Sequence, residues 1–455
     1  MTLVAANDLA GETAENRVQA PAGRAWYVAI ALCVAHAVST LDRYVIVLVN
    51  EPLKAALALS DAQLGLLQGT GFAILYCSVA VPLGSVADAV SRRNLILGGI
   101  TVWSLATIAC AFATSFGQLF AARIFVGFGE ACLVPAGMSL LAAYFPRATL
   151  ARGVSVFSLG IPIGQALAFL GGASILALGA AQGFPPLPLF GEVAPWRLLF
   201  VVAGLGAIPA LLLMLAVREP PRETVEKGKA AAAIAHMGEG LRYLKAGAGR
   251  YAPFLAVGSA VACSGYAFVS WSASLLVRLH GLSPAEAGAL VGTAGLIAGP
   301  AGTIVGGILL ERLQAKGVAG APLVHMAGAA VAAVIAVLAF LAAPGVGAAG
   351  LALGLFLGIS TLMVVPLYVG IQLLTDPHKR GIVASFNMMI YTLFGLGFGP
   401  AAVGFVSDRL PPGDMSLGLA VLIVVAAMAA IAVPVTLRNR HAFDRAAAGI
   451  AAGRS

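Results

Sequence analysis

The sequence predicts an all-α polytopic membrane protein, twelve transmembrane helices in two six-helix bundles, and three observations carry that expectation. Only 10% of the 455 residues are charged and 60% are apolar, against about 25% charged in a soluble domain. The mean hydropathy is +0.96, so lipid is the expected solvent for most of the chain. Twelve apolar runs of spanning length follow one another, and the one long charged insert, 218–250, leaves six of them on each side. The runs are continuous rather than alternating, which disfavours a transmembrane β-barrel.

In chain order, residues 1–25 form a polar tail with Asp8, Glu12, Glu15, Arg17 and Arg24, lacking the short apolar core of a cleavable signal. Bounded by Gly, Pro and charge, spans are expected at 26–50, 63–86, 95–114, 118–143, 153–179, 196–217, 253–279, 286–310, 322–343, 347–374, 383–406 and 416–437, each near the roughly 20 residues a crossing needs. Residues 26–217 then make the first bundle, 218–252 a linker, 253–437 the second bundle and 438–455 a tail.

Sidedness comes from the basic residues. Of the 27 Lys and Arg, 21 lie on the face holding both termini and four on the other (Lys54, Arg197, Arg278, Arg409); Arg43 and Arg123 fall inside spans. Basic loops stay in the cytoplasm, so both termini, the linker and the tail are expected there, with a bacterial inner membrane as the location. Topology thus accounts for the net charge of +8, and no nucleic-acid partner is expected. Cys33, Cys77, Cys110, Cys132 and Cys263 sit in apolar stretches without paired spacing, which disfavours disulfides and zinc sites. The sequence shows no nucleophile triad, metal cluster or phosphate loop, so neither an enzyme nor a resident cofactor is expected.

The halves repeat. Gly84, Asp88, Arg92 and Arg93 after span 2 are echoed by Gly307, Glu311 and Arg312 after span 8. Gly127, Pro135 and Pro146 match Gly358, Pro366 and Pro377 at an offset of 231. Two like bundles that rock about a central site are a transporter arrangement.

Gly84-Ser-Val-Ala-Asp88-Ala-Val-Ser-Arg92-Arg93 resembles the loop signature of the major facilitator superfamily, with Ala89 where Arg is usual and Ser91 where Gly is usual. Leu41-Asp42-Arg43-Tyr44, Arg123 through Gly127-Phe128-Gly129-Glu130, and Gly395 to Pro400 followed by Ser407-Asp408-Arg409 resemble the spinster group of that superfamily. Animal members of the group are associated with lysolipid and sphingolipid export. The resemblance implies the major facilitator fold, alternating access, and gating by the loop signatures, with Asp88 as a cytoplasmic latch beside Arg92, Arg93, Glu311 and Arg312. An Asp-Arg pair in span 1 also occurs in organic-anion:proton symporters of the superfamily, which keeps a small organic anion open as the substrate; a non-transporting receptor or scaffold is a further alternative.

Asp42, Arg43, Arg123 and Glu130 are the charges well inside spans, and all lie in the first half. Each costs about 2.5–3.5 kcal/mol near the bilayer centre, so they are expected to face one another or a shared cavity. Asp42 and Glu130 are the candidate proton-coupling groups, the proton being the coupling ion, and Arg43 and Arg123 the substrate-head partners; a network that merely fixes helix packing is the alternative. His36, Ser39, Arg43 and Asn50 recur at helical spacing on span 1. His36 reads as a hydrogen-bonded packing residue and His325 as interfacial.

The second half offers Tyr266, Ser270 and Trp271 on span 7, Tyr368 and Gln372 on span 10, and Asn387 and Tyr391 on span 11. A charged wall facing an aromatic, weakly polar one suits an amphipathic substrate, carried by a monomer embedded in the bilayer.

Overall fold

The computed structural model describes residues 22–79, 90–146, 148–182, 194–220, 238 and 240–452. Twelve helices within them are long and apolar enough to cross a membrane: Gly23–Leu48, Asp61–Val79, Arg92–Phe112, Phe116–Tyr144, Leu150–Ala181, Pro195–Ala216, Ala248–His280, Pro284–Ala315, Ala321–Leu341, Val346–Leu373, Pro377–Ser407 and Met415–Ala451. These are spans 1 to 12 below. A helix satisfies its own backbone polar groups, as a segment in hydrocarbon must. Twelve crossings put the start of span 1 and the end of span 12 on one face, here the termini face; the other is the far face.

The turns are written locally. Ser60 and Ser283 build capping boxes with Gln63 and Glu286 that start spans 2 and 8. Ser91 and Ser115 cap spans 3 and 4. Gly281, at φ 65°, ends span 7 in the left-handed conformation that glycine adopts without strain.

Several spans run beyond their expected bounds, spans 7 and 11 at the start and span 8 at the end, and two boundaries differ in kind. Span 12 runs on to Ala451 rather than ending at 437, because the apolar pattern marks only the lipid-buried length. Its polar extension docks on its own bundle through buried Phe443 against Phe254, and through Asp444, which accepts the Gly320 N–H at 3.0 Å. Asn50 leaves span 1 to begin the short helix Asn50–Leu57 on the far face.

The repeat is visible in the backbone. Span 4 breaks between Glu130 and Leu133, and span 10 breaks at Met363 between Leu362 and Val364. Both breaks lie three residues ahead of the matched prolines Pro135 and Pro366, where a helix loses a hydrogen bond.

The bundles meet along span 2 with span 11 and span 5 with span 8. Apolar packing shows where they close. In the far half a single core joins Val45, Leu64, Phe200, Phe268, Val291 and Val421 across both bundles. In the termini half there are two: one in the first bundle around Leu32, Trp103 and Leu140, reached by Leu396 of span 11, and another in the second around Phe254, Met326 and Leu367. The molecule is fused at its far face and divided toward its termini face.

Candidate substrate and coupling site

Spans 1 and 4 meet at a buried acid. Glu130, 1% exposed, closes the first segment of span 4, and its Oε2 accepts from Ser39 Oγ and Arg43 Nη2, each at 2.6 Å. Its other oxygen, Oε1, has no protein partner. Arg43 keeps 21% of its side chain exposed. Its guanidinium lies over the rings of Phe72, at 4.6 Å, and Tyr76, at 5.7 Å.

Tyr266 of span 7 stands within electrostatic reach of Arg43 and packs edge-on against Tyr391 of span 11, with ring centroids 6.3 Å apart. Tyr44 and Tyr368 stand within the same reach of Tyr391. A partly open cation thus sits among phenol groups from both bundles.

Asp42 and Arg123 lie sealed beside the Arg43–Glu130 pair, within electrostatic reach of Glu130. Both are fully buried. Arg123 donates Nη1 to the Asp42 main-chain carbonyl at 3.2 Å and Nε to that of Leu67 at 3.4 Å. The Thr107 hydroxyl is the polar group beside the Asp42 carboxyl, and no hydrogen bond of good geometry joins them. Arg123 is therefore committed to backbone carbonyls where spans 1, 2 and 4 meet, and in this conformation it is closed to a substrate head. Its separation from Glu130 by two helical turns is as expected, but Arg43, not Arg123, holds Glu130.

Other expected wall residues are also enclosed. Trp271 is fully buried and donates Nε1 to Pro400 O at 3.1 Å. Ser270 is 3% exposed, and its carbonyl accepts from Asn50 Nδ2 at 3.2 Å. Asn387 is buried with its Nδ2 unpaired. Tyr368, 43% exposed, lies open. His36 is a packing residue: its ring stacks on Phe157 at 4.4 Å and its Nδ1 meets the Phe157 carbonyl.

Among the loop residues, Asp88 lies outside the described residues. Arg92 is buried and pairs with Glu219 at 2.8 Å. Arg93 donates its backbone N–H to Glu219 and its guanidinium to the carbonyls of Met214 and Leu215. Both arginines thus tie span 3 to the end of span 6 within the first bundle rather than reaching across to the second. Partial burial works against charge on Glu219, but the bonds from Arg93 and Arg92 prevail and hold its carboxyl below the ordinary range. Glu311 and Arg312 are exposed and make no ion pair among the described residues.

The cross-bundle ion pairs lie on the far face, where none was anticipated. Asp61, opening span 2, accepts both Arg278 Nη groups at 2.8 Å, Lys54 at 2.5 Å and Ser407 at 2.7 Å. Arg278, ending span 7, also bonds Glu51 at 2.9 Å. Asp408 accepts the backbone N–H groups of Asp61 and Ala62 at 3.0 and 2.9 Å, where the helix dipole favours an anion. In the sequence these residues look like ordinary span-end charges. Their one signal was Ser407-Asp408-Arg409 within the quoted resemblance.

A cavity of about 430 Å³ lies between spans 5, 8 and 10, with Ser158, Gln165, Thr303 and Thr361 among its lining residues. It shares Pro162, Ala166 and Leu296 with an apolar crevice lined further by Leu167 and Leu170. Leu167 and Leu296 are about half exposed.

This architecture is that of a secondary transporter rather than an enzyme. The family model of the Major Facilitator Superfamily matches residues 32–400, and the chain belongs to that superfamily. A described MFS-type efflux pump of Mycolicibacterium smegmatis is 27% identical over 418 residues, 89% of this chain and 90% of that protein. Human protein spinster homolog 1 is 31% identical over 208 residues, 45% of this chain and 37% of its own length. Among solved structures, a bacterial homologue of the human lysosomal transporter spinster, inward-facing and unoccupied, matches with TM-score 0.77 at 26% identity, covering 96% of this chain and 99% of that one. A D-xylose-proton symporter shares the fold, with TM-score 0.62 at 16% identity.

Proposed function

We propose that this chain is a proton-linked transporter that moves an amphipathic, lysolipid- or sphingoid-type substrate by alternating access, with Glu130 and Asp42 as coupling acids. The observation that carries the substrate class is the cavity between spans 5, 8 and 10, which has Ser158, Gln165, Thr303 and Thr361 in its lining and shares Pro162, Ala166 and Leu296 with an apolar crevice. A small organic acid has no use for that crevice. The head group meets Arg43 as the cation exposed at the bundle interface, and its arrival competes with Glu130 for the guanidinium, which links binding to protonation of the acid. With the termini face cytoplasmic, the shared far core and the divided termini half describe an inward-facing state. The protein works in a bacterial inner membrane, as a monomer, with the proton as its coupling ion and no cofactor.

The test is thermal stabilisation of purified protein by lysolipids of one head group and increasing tail length. Each added methylene strengthens binding by up to about 0.8 kcal/mol until the crevice is full. Affinity independent of tail length, or stabilisation by short organic acids alone, moves the substrate to that class.

A further inference from the structure

Between the Arg43–Glu130 pair and the far-face network, span 2, span 7 and the short helix after span 1 each carry buried polar groups that neither uses. On span 7, Tyr266, Ser270, Ser274 and Arg278 recur every fourth residue, so a stripe that winds about a third of a turn round the helix leads from the aromatic cluster to the far-face pair, about 18 Å at 1.5 Å per residue. On span 2, Gln68 stands one turn beyond Phe72 and two beyond Tyr76, the two rings that carry Arg43. On the first bundle's side, Asn50 reaches across to the Ser270 carbonyl.

All four are sealed: Gln68 is 2% exposed, Asn50 1%, Ser270 3% and Ser274 1%. Yet Gln68 Oε1 and Nε2, Asn50 Oδ1 and Ser274 Oγ have no protein hydrogen bond. Buried polar atoms are bonded to something, and leaving one bare costs about 1–3 kcal/mol. Ordered water is the usual partner of such groups. Their neighbours are apolar: Phe268 and Leu275 belong to the shared far core.

We infer that Asn50, Gln68, Ser270 and Ser274 hold a file of buried waters that carries protons from the far face to the Arg43–Glu130 pair while that face is closed to substrate. The inference rests on the proton coupling proposed above and adds its route. The charged and titratable groups at the inner end are Arg43, Glu130, Asp42, Arg123, Tyr44, Tyr76 and Tyr266, with Arg123 bonded to the carbonyl of Leu67 beside Gln68; at the outer end they are Asp61, Glu51, Arg278, Lys54 and Asp408. Hydroxyl and amide groups can each take a hydrogen bond from one water and give one to the next, so the file needs no titratable member of its own.

Two measurements on the full chain test it. In X-ray radiolytic footprinting, buried Trp271, next to Ser270, takes up label from isotopic water, whereas Phe268, stacked on Phe356, does not; in Gln68→Leu the Trp271 label is lost. Absence of label at Trp271 in the wild type, or label unchanged in Gln68→Leu, removes the water file. In proteoliposomes, flux of trace lauroyl lysophosphatidylcholine driven by a pH gradient falls about tenfold or more in Gln68→Leu and in Ser274→Ala. Exchange of the same probe at equal pH stays within about twofold, and Gln68→Asn retains most of the driven flux. Equal losses in both assays, or none in either, overturn the route. A wild type that labels at Trp271 but ignores the pH gradient instead overturns the coupling reading, and the proton role of the file with it.

Discussion

Arg43 and Arg123 show how little a charge inside a span reveals by itself. Both cost too much to face lipid, so the sequence locates them in the interior, but it does not say what they meet there. Arg43 meets Glu130 and an opening; Arg123 meets two backbone carbonyls. Arg123→Ala removes a fully buried cation beside the buried Asp42 carboxyl, and the loss is expected to be about 3 kcal/mol of stability, read as a lower unfolding temperature. Arg123→Lys recovers only part of it, because one ammonium does not reproduce the guanidinium fork. A stability unchanged in Arg123→Ala contradicts this structural role. Glu219 allows a prediction outside the membrane. Its folded pKa is lowered, so its contribution is present above the unfolded value and is lost as pH falls through the folded one. The gap in unfolding temperature between wild type and Glu219→Gln is therefore largest near neutral pH and closes on acidification; a gap that widens in acid has the wrong sign.

At the scale of the element, the twelve spans were legible because lipid demands long apolar runs, and the spans' polar continuations were not, for the same reason. The matched prolines were legible as a repeat, and the breaks in spans 4 and 10 give them a physical meaning. What the sequence concealed is how spans 2 and 11 cross. Both contain a π-helical turn, Leu66–Thr70 and Leu393–Phe398, and the two turns pack together, with Thr70 Oγ1 donating to Gly397 O at 2.6 Å. A Cβ built on Gly69 falls 2.0 Å from the Leu396 carbonyl oxygen, which is backbone and cannot step aside. Glycine composition alone does not single out this position. Gly69→Ala is expected to force the two helices apart, lowering stability and abolishing flux, whereas Gly98→Ala, which meets nothing within 4 Å, leaves both unchanged. Equal behaviour of the two variants removes the crossing as a pivot.

At the scale of the molecule, closure is held at the far face by residues that, Ser407-Asp408-Arg409 apart, look like ordinary span-end charges. Arg278, Asp61, Glu51 and Asp408 sit at span ends, where charges belong in any membrane protein, and their pairing exists only because the far halves of the two bundles share a core. Arg278→Ala removes the side chain that joins span 7 to span 2. Spin labels across the far mouth are then expected to show a larger share of long distances than in the wild type; an identical distribution leaves closure to the shared apolar core and to the bonds that Asp408, Ser407 and Asn50 make between the bundles. The central claim is that the buried acids couple protons to the movement of an amphipathic substrate past Arg43. The most direct test is lysolipid flux in proteoliposomes, driven by a pH gradient and by exchange at equal pH, for wild type, Glu130→Gln and Asp42→Asn. Both variants are expected to keep exchange and lose the gradient-driven component. Wild-type rates with unchanged pH dependence in both variants would contradict it.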